Sequence, residues 1–516
     1  MKRFGYIATL AALLSAPPAR ADFADHFARR TDVPYDKVPS RGHSKVLVIP
    51  IEVAGFPTID MDQLRSFFGN GPGSFGEYWS VTSHGLYSVE ATVADPVQYD
   101  HCPLPAATFP DCDVSRGDPA ALGPAIDVMR DALSQVHARG VNFKDFDVNG
   151  ATGTSDGTID GFLLLTNTPF GGIALPIFEF NTGDNLDGGT GGAFVLDGVQ
   201  VPYVAVGGEM RVLLHEFGHL LGFTDIYDEN DAWGGVDLSL MGNWDYDANP
   251  PLLDAESRYR IGWAPTLDLD KSATVKLSPS EAGNPILKIG SDPEYFLVEN
   301  RGPGSATDKD LSGRGIAIYH VDRSVGPTGD QGGFAFRLIN CVECNEYHPY
   351  ILNEVARGSF RWLDPGHFAV SQELYGPGDT LAPDPSGQPF SATHAVASTN
   401  AYDGGESTGI TIEVLDQSGD DFDVQVTVPS TTPACAAPQP CPAGSVCPDE
   451  RCFVPSDATQ PTAKRGCGCG GGADPLLPGL IVVGLYFFFP KRASKAALAW
   501  SAASSLPRGP FSSNSK

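Results

Sequence analysis

The segment from His215 to Asp225 limits what this chain can fold into more than any other segment. It reads His-Glu-Phe-Gly-His-Leu-Leu-Gly-Phe-Thr-Asp. In an α-helix, two histidines four residues apart lie on the same face, so their ring nitrogens can converge on one metal ion. Apolar residues at helical spacing form the opposite face: Met210, Leu213, Leu214, Phe217 and Leu221. The segment therefore predicts an amphipathic helix with a zinc ion on one side and the protein core on the other.

The neighbours of the two histidines, His215 and His219, complete the predicted site. Glu216 is placed to take a proton from a water molecule at the zinc. Gly222 ends the helix and turns the chain, which allows Asp225 to return to the metal as the third ligand. Two alternatives remain from the residues alone. Asp237 is the third ligand if it comes from a more distant segment, and Asp228 could instead hold a ligand in place.

Met241 follows the motif in the turn-rich segment Ser239-Leu240-Met241-Gly242-Asn243-Trp244. The chain has only 5 methionines, so one at this place is notable. It would form an apolar floor under the zinc site, although an ordinary core methionine would look the same in the sequence.

The net charge argues against one class of function, and the N-terminal residues predict export. The formal net charge is -29, which argues against binding to nucleic acid by phosphate neutralisation. At the N-terminus, Lys2 and Arg3 precede a short apolar run and Ala19-Arg20-Ala21. This pattern predicts a secretory signal peptide over residues 1–21, with the mature chain beginning near Asp22.

The texture of the sequence predicts an α+β protein with several segments. Helix and strand patterns alternate in the first half, beginning with a buried strand at 44–55 and including a hairpin signal at Asp197-Gly198. Short alternating strands follow Trp263 and predict a β-rich, sandwich-like domain. The expected segments are 1–21 signal peptide, 22–43 short pro or linker segment, 44–265 catalytic domain, 266–428 β-rich domain, 429–466 Pro/Cys-rich linker, 467–492 sorting signal and 493–516 tail.

The 10 cysteines are clustered, and export would place them in an oxidising compartment where disulfides persist. Cys102 and Cys112 are close enough in sequence for a local bridge. Cys341 and Cys344 resemble half of a zinc knuckle, but no second CxxC lies nearby, so disulfides are the better interpretation.

The residues around the motif resemble the immune inhibitor A (M6) family of metallopeptidases. Besides the HExxHxxGxxD pattern, the resemblance rests on four segments and covers roughly residues 44–428. These segments are 73–86 (Gly-Ser-Phe-Gly-Glu-Tyr-Trp-Ser to Gly-Leu), 258–263 (Arg-Tyr-Arg-Ile-Gly-Trp), 295–301 (Tyr-Phe-Leu-Val-Glu-Asn-Arg) and 315–322 (Gly-Ile-Ala-Ile-Tyr-His-Val-Asp). The resemblance implies a metzincin-like catalytic domain, a secreted endopeptidase, a Met-turn at Met241 and Asp225 as the third zinc ligand.

The same resemblance implies a calcium loop in front of a buried strand. Its counterpart here is an acidic stretch that contains oxygen donors around Gly157. Alternating oxygen donors suit Ca²⁺, although an Asx-rich surface loop has the same composition. The candidate ligands are Asp145, Asp147, Asn149, Asp156 and Asp160.

The C-terminal region resembles the myxobacterial sorting signal called MYXO-CTERM. Cys467 and Cys469 lie among glycines, an apolar run from Leu476 to Phe489 follows, and Lys491-Arg492 comes next. This resemblance implies a sorting protease that acts near the two cysteines and display on the cell surface. We expect a monomer that is exported, anchored to the outer membrane and acts on protein or peptide substrates.

These expectations predict a mechanism of peptide hydrolysis, and two alternative functions remain. Zn²⁺ held by His215, His219 and Asp225 would activate water, with Glu216 as the general base. Tyr246 is a candidate for stabilising the oxyanion. One rival is a catalytically inactive surface adhesin on a peptidase scaffold, and another is a zinc hydrolase of a different bond, such as a glycan amide.

Overall fold

The computed structural model describes residues 38–104, 106, 112, 123–150, 153–168, 172–176, 194–223, 225–226, 236–242, 249–325, 347–360, 370–391, 393–402 and 404–429. All of these lie within one compact unit, Arg20–Thr431. The expected signal peptide, Pro/Cys-rich linker, sorting signal and tail lie outside the described residues. Among the described residues, no helix has the length and apolar character needed to cross a membrane.

The first half is built around a mixed sheet with helices on both faces. Its strands pair in the order β2-β1-β4-β8-β5, with β3 also paired to β1. All of these pairings are parallel except that of β5 with β8. The strands are β1 (Gly42–Val53), β2 (Tyr87–Val93), β3 (Val97–Tyr99), β4 (Phe162–Thr166), β5 (Gly172–Pro176) and β8 (Tyr203–Gly207). Between β5 and β8 lies a hairpin of β6 (Phe194–Leu196) and β7 (Val199–Val201).

Three of the helices begin at a residue whose side chain caps the helix N-terminus. Asp60 and Ser74 cap the first two helices by accepting hydrogen bonds from backbone N–H groups of the first turn. Asp254 does the same for the last. The helices are α1 (Met61–Phe67), α2 (Phe75–Thr82), α3 (Gly123–Ala138), α4 (Met210–Leu220) and α5 (Ala255–Arg260).

The alternation of side chains along β1 divides the core between the two faces of this sheet. Val46 and Val48 join a cluster that includes α1, α2 and α4, whereas Leu47 and Ile49 join a cluster with α3 on the other face. The helix that carries the zinc motif, α4, is thus packed on one face of a largely parallel sheet.

The second half consists of two sheets that share an apolar core, as the predicted sandwich requires. A five-stranded sheet has the order β14-β13-β12-β11-β9, and a four-stranded sheet has the order β10-β17-β16-β15. Side chains of both sheets, such as Phe296 and Val424, belong to one cluster. The strands are β9 (Thr266–Leu269), β10 (Ala273–Leu277), β11 (Ile286–Ser291), β12 (Glu294–Arg301), β13 (Gly315–Asp322), β14 (Ile351–Asn353), β15 (Thr380–Leu381), β16 (Thr411–Ser418) and β17 (Asp421–Thr427).

The prediction of an α+β protein is therefore confirmed, while the metzincin-like assignment and the domain bounds stay predictions. The predicted bridge between Cys102 and Cys112 is confirmed. The other eight cysteines lie outside the described residues, so their pairing stays a prediction.

Candidate metal centre

The zinc motif forms α4 and the turn that ends it. Gly222 adopts φ +98°, a left-handed conformation that favours glycine. The amide of Gly222 donates to the carbonyl of His219, and the amide of Phe223 donates to that of Gly218. These two bonds are the Schellman arrangement, which ends a helix and reverses the chain. Asp225 is thereby returned towards the histidines.

His215, His219 and Asp225 are all buried, and each offers a ligand atom to one cluster whose atoms lie within 4.8 Å of one another. His215 Nε2 lies 3.0 Å from Asp225 Oδ1 and 3.2 Å from His219 Nε2. His219 Nε2 lies 3.5 Å from the same carboxylate oxygen. Ligands about 2.0–2.1 Å from a tetrahedral zinc ion lie roughly 3.3 Å apart, so this triangle fits zinc with one coordination position left for water.

Two backbone carbonyls orient the imidazole rings. His215 Nδ1 lies 2.9 Å from the carbonyl oxygen of Leu240, and His219 Nδ1 lies 2.9 Å from that of Phe223. A carbonyl oxygen only accepts hydrogen bonds, so each Nδ1 is the protonated nitrogen and each Nε2 of a neutral ring carries the lone pair. Both rings therefore present a metal-binding nitrogen to the cluster, as ligands do in zinc proteins.

The cluster is arranged for positive charge. Burial alone lowers the pKa of His215, but the hydrogen bond and the charge of Asp225 outweigh burial, and the pKa lies above its ordinary value. The carboxylate thus stabilises a cation at this point, whether the charge is on a proton or on a metal ion. The donor set of two imidazoles and one carboxylate is one that zinc accepts.

Glu216 is buried next to the cluster, beside β5, the last strand in the order of the described strands of this sheet. A Cβ atom at Gly172, the first residue of β5, would lie 2.0 Å from Glu216 Oε1 and 2.3 Å from Val212 Cγ1. Only glycine leaves room for the carboxylate at this place. Nothing in the sequence singled out Gly172, because its role depends on strand β5 lying against α4.

Met241 lies under α4. A Cβ atom at Gly218 would be 2.8 Å from Met241 Sδ, so the thioether packs against the helix between the two histidines. Met241 is fully buried and belongs to the large core cluster. It is therefore both a core residue and a floor beneath the histidine-bearing helix.

The other candidates from the sequence do not join the cluster or lie outside the described residues. Asp237 is buried but is not one of the cluster's three ligands. Asp228 and Tyr246 belong to the part of the chain that the structure does not describe.

The candidate calcium residues lie in one loop, in which the Asp147 and Asp160 carboxylates accept hydrogen bonds from backbone amides. Asp147 accepts from the amides of Asp156 and Gly157. Asp160 accepts from the amides of Lys45, Val148 and Asn149. Burial raises the pKa of Asp160 to about 6, a shift that these backbone donors oppose.

The remaining members of the loop are also engaged. Asn149 Nδ2 donates to the carbonyl of Arg41 and to Ser44 Oγ, Asp156 Oδ1 accepts from the amide of Thr158, and Asp145 Oδ1 accepts from Asn142 Nδ2. These hydrogen bonds within the chain hold the loop in its shape. Ca²⁺ binding stays a prediction.

Comparisons with known proteins give little further support. No protein-family model matches the sequence, and no curated protein matches it. Among solved structures, metalloproteinase-II from Bacteroides fragilis matches with a TM-score of 0.21 and 16% identity, over 45% of this chain and 58% of that chain. This chain thus spans little more than half the length of that protein.

Two structures of OgpA from Akkermansia muciniphila also match. The wild type has a TM-score of 0.21 and 12% identity, over 57% of this chain and 88% of that chain. A catalytically inactive form in complex with an O-glycopeptide substrate has a TM-score of 0.19 and 12% identity, over 57% and 87%. The first match is a metalloproteinase, the kind of enzyme that the motif predicts. TM-scores near 0.2 nevertheless carry no argument about this chain, and the M6 and MYXO-CTERM resemblances stay predictions.

Proposed function

We propose that this chain is a zinc-dependent endopeptidase. The observation that carries the proposal is the triangle of His215 Nε2, His219 Nε2 and Asp225 Oδ1, whose sides of 3.0–3.5 Å match the spacing of ligands around zinc. Glu216 adds a buried carboxylate on the same helix. The two carbonyl groups that orient the imidazole rings also support the proposal, because metal-binding histidines ordinarily have such a partner.

When bound, zinc would polarise the peptide carbonyl and lower the pKa of an attacking water molecule. The residues of the chain do the rest. Leu240 and Phe223 hold the two rings by their carbonyls, so that the Nε2 atoms face the metal. Glu216 accepts the proton of the attacking water and passes it to the leaving amine. The peptide bond breaks, giving a new carboxylate and a new amine.

The edge of the first sheet offers a place for an extended peptide. Strand β5 is the last in the order of described strands and pairs on one side with β8, in register Gly172↔Gly207. An extended substrate could add to its other side through main-chain hydrogen bonds, which select for polypeptide rather than for a particular side chain. Gly172 would bring this backbone next to Glu216.

Export and surface display are proposals that rest on the sequence alone. The predicted signal peptide over 1–21 and the predicted sorting signal over 467–492 support them. Mass spectrometry of the mature protein tests both, because the proposal expects an N-terminus near Asp22 and processing near Cys467 or Cys469. An intact N-terminal Met1 in the exported protein would contradict it.

The function is tested by exchanging Glu216 for Gln in the full chain. The exchange keeps the size of the side chain but removes its ability to accept a proton at neutral pH. We expect one zinc ion per chain in the wild type and in Glu216→Gln, and loss of casein cleavage by at least about 10²-fold in the variant. The matched control is Glu209→Gln, in an exposed residue just before the same helix, which should cleave like the wild type.

Four outcomes decide between the candidate functions. Wild-type cleavage by Glu216→Gln sinks the mechanism. A zinc-loaded wild type that cleaves no protein favours the adhesin, and cleavage of a glycan amide but not of casein favours the other hydrolase. Absence of zinc from the wild type would overturn the proposal altogether.

A further inference from the structure

The turn that contains Met241 touches both ligand segments. The carbonyl of Leu240 accepts from His215 Nδ1, and the carbonyl of Met241 accepts from the amide of Ile226 at 3.1 Å. Ile226 directly follows Asp225. The Leu240 carbonyl thus fixes the orientation of the His215 ring, and the Met241 carbonyl fixes the chain next to Asp225. The conformation of this turn therefore determines the geometry of the metal site.

The turn is tight and has no room to adjust. Its ends come so close that a Cβ atom at Gly242 would lie 1.8 Å from the carbonyl oxygen of Val236. The amide of Gly242 donates to the carbonyl of Ser239 at 3.1 Å. A turn of this kind depends on the few hydrogen bonds made inside it.

The hydroxyl of Ser239 makes three hydrogen bonds, one inside the turn and two to Asp254. It donates to Asp254 Oδ2 at 2.8 Å and lies 3.3 Å from the amide of Met241 and 3.2 Å from that of Asp254, from both of which it accepts. Both side chains are completely buried. A hydroxyl is suited to this place because it donates and accepts at a single atom.

Asp254 connects the turn to the rest of the protein. Its Oδ1 accepts from the amide of Ser257 and caps α5. In α5, Glu256 accepts from the hydroxyls of Tyr295 and Tyr350, and Arg258 forms a buried ion pair with Glu299 of β12. The five-stranded sheet therefore holds α5, and the cap of α5 is joined to the turn by the two hydrogen bonds between Asp254 and the Ser239 hydroxyl.

We propose that Ser239 and Asp254 are positioning residues of the metal centre, an inference that rests on the proposed zinc site. Neither touches the metal or the substrate. The pair fixes the Leu240 and Met241 carbonyls, so that the imidazole of His215 and the carboxylate of Asp225 are already placed before zinc arrives. Loss of the pair leaves the three ligands present but lowers the affinity for zinc.

The experiment measures zinc affinity by competition with a chelator, in the full chain and in the Glu216→Gln background to prevent self-cleavage. We expect Ser239→Ala to weaken zinc binding about tenfold, the lower end of what loss of a partner behind a metal ligand costs. Asp254→Asn should do the same while keeping an acceptor for the amide of Ser257. The second variant keeps the inference open to test if Ser239→Ala does not fold.

The matched control is Ser83→Ala. Ser83 is also completely buried, and its hydroxyl donates to the carbonyl of Tyr87 and accepts from the amide of Tyr87. This variant should lower the melting temperature of the metal-free protein but leave zinc affinity unchanged. The gain in melting temperature on adding zinc gives a second readout, which should shrink in Ser239→Ala and not in Ser83→Ala.

The outcomes distinguish this inference from the proposed function. If the Glu216→Gln protein binds no zinc at all, the proposed function fails. If it binds zinc, and both Ser239→Ala and Asp254→Asn bind it as tightly as their parent, the function stands and the positioning role is wrong. Equal losses of zinc affinity in Ser83→Ala would also overturn it, because the effect would then be one of general stability.

Discussion

At the scale of single residues, the site depends on a glycine, Gly172, whose missing side chain leaves room for the Glu216 carboxylate. Glu216 occupies the volume that a side chain at position 172 would need. The atoms in the way are the ends of two side chains, Glu216 and Val212, and not the backbone. An added methyl group at Gly172 should therefore displace the Glu216 carboxylate, and it should also lower stability because the Val212 side chain is stiff at χ1.

Gly172→Ala is expected to reduce kcat about 10²-fold, because a displacement of about 1 Å is enough for such a loss. Zinc content should stay close to that of the wild type, whereas the melting temperature should fall because Val212 Cγ1 also has to move. The control is Gly71→Ala, where an added Cβ would meet no atom within 4 Å. Full activity in Gly172→Ala, measured with a fluorogenic peptide, would contradict the position assigned to Glu216.

The sequence predicts residues whose role follows from spacing along one segment. His215, Glu216 and His219 share a helix, and Asp225 follows a glycine turn, so their convergence could be expected. Gly172 and Asp254 reach the site only through the packing of separate segments. No local pattern marks such residues, because their neighbours are distant in the sequence.

At the scale of elements, α4 is held between the sheet and the Met241 turn. Replacing a glycine inside a helix by alanine ordinarily stabilises the helix by about 1 kcal/mol. Gly218 should behave differently, since its Cβ would lie 2.8 Å from Met241 Sδ. Overpacking of a core typically costs about 1–3 kcal/mol, which outweighs the helix preference.

Gly218→Ala is thus expected to lower the free energy of unfolding in the wild-type background, as measured by urea titration of the metal-free protein. In a Met241→Ala background the same exchange should be neutral or stabilising, because the methyl group then has room. An equal effect of Gly218→Ala in both backgrounds would show that Met241 does not pack under the helix.

Elements with a strong period or a clear turn signal could be predicted. The buried strand expected at 44–55 is β1, and Asp197-Gly198 is the two-residue turn between β6 and β7, with φ of +53° and +81°. Strands β5, β9 and β14 were not predicted. They are 3–5 residues long, too short for a period, and are held by their partners in the sheets.

At the scale of the whole molecule, one apolar cluster extends across the expected boundary at residues 265/266. It includes Trp79 of α2 and Trp263 as well as Tyr295 and Tyr319 of the five-stranded sheet. The composition of the sequence changes at this boundary, and that change was the only sign of a boundary in the sequence. The buried core, in contrast, continues across it. The second half therefore supports the half that contains the candidate metal centre through a common core.

His84 lies at this junction, at the end of α2 and close to Gly283. Burial, together with the charge of Arg258, lowers its pKa from 6.5 to about 4, while the charge of Glu299 opposes the shift. Between pH 4 and 6.5 the unfolded chain binds more protons here than the folded chain. Its contribution to stability is therefore present above pH 6.5 and is lost as the pH falls towards 4.

His84→Asn is expected to flatten this dependence. Asparagine tolerates the left-handed backbone of His84, φ +55°, but does not titrate. The free energy of unfolding of the metal-free protein should fall less between pH 6.5 and 4 in the variant than in the wild type. Asp160, whose raised pKa acts in the opposite direction, is present in both proteins and cancels from the difference. Parallel pH profiles would exclude the shift at His84.

The proposed catalysis requires one zinc ion held by three side chains. The most direct test is an anomalous difference map recorded on both sides of the zinc absorption edge from crystals of the full chain. We expect a single strong peak about 2.0–2.2 Å from His215 Nε2, His219 Nε2 and a carboxylate oxygen of Asp225. A zinc peak coordinated by Asp237 or Asp228 in place of Asp225, or no peak at the two histidines, would contradict it.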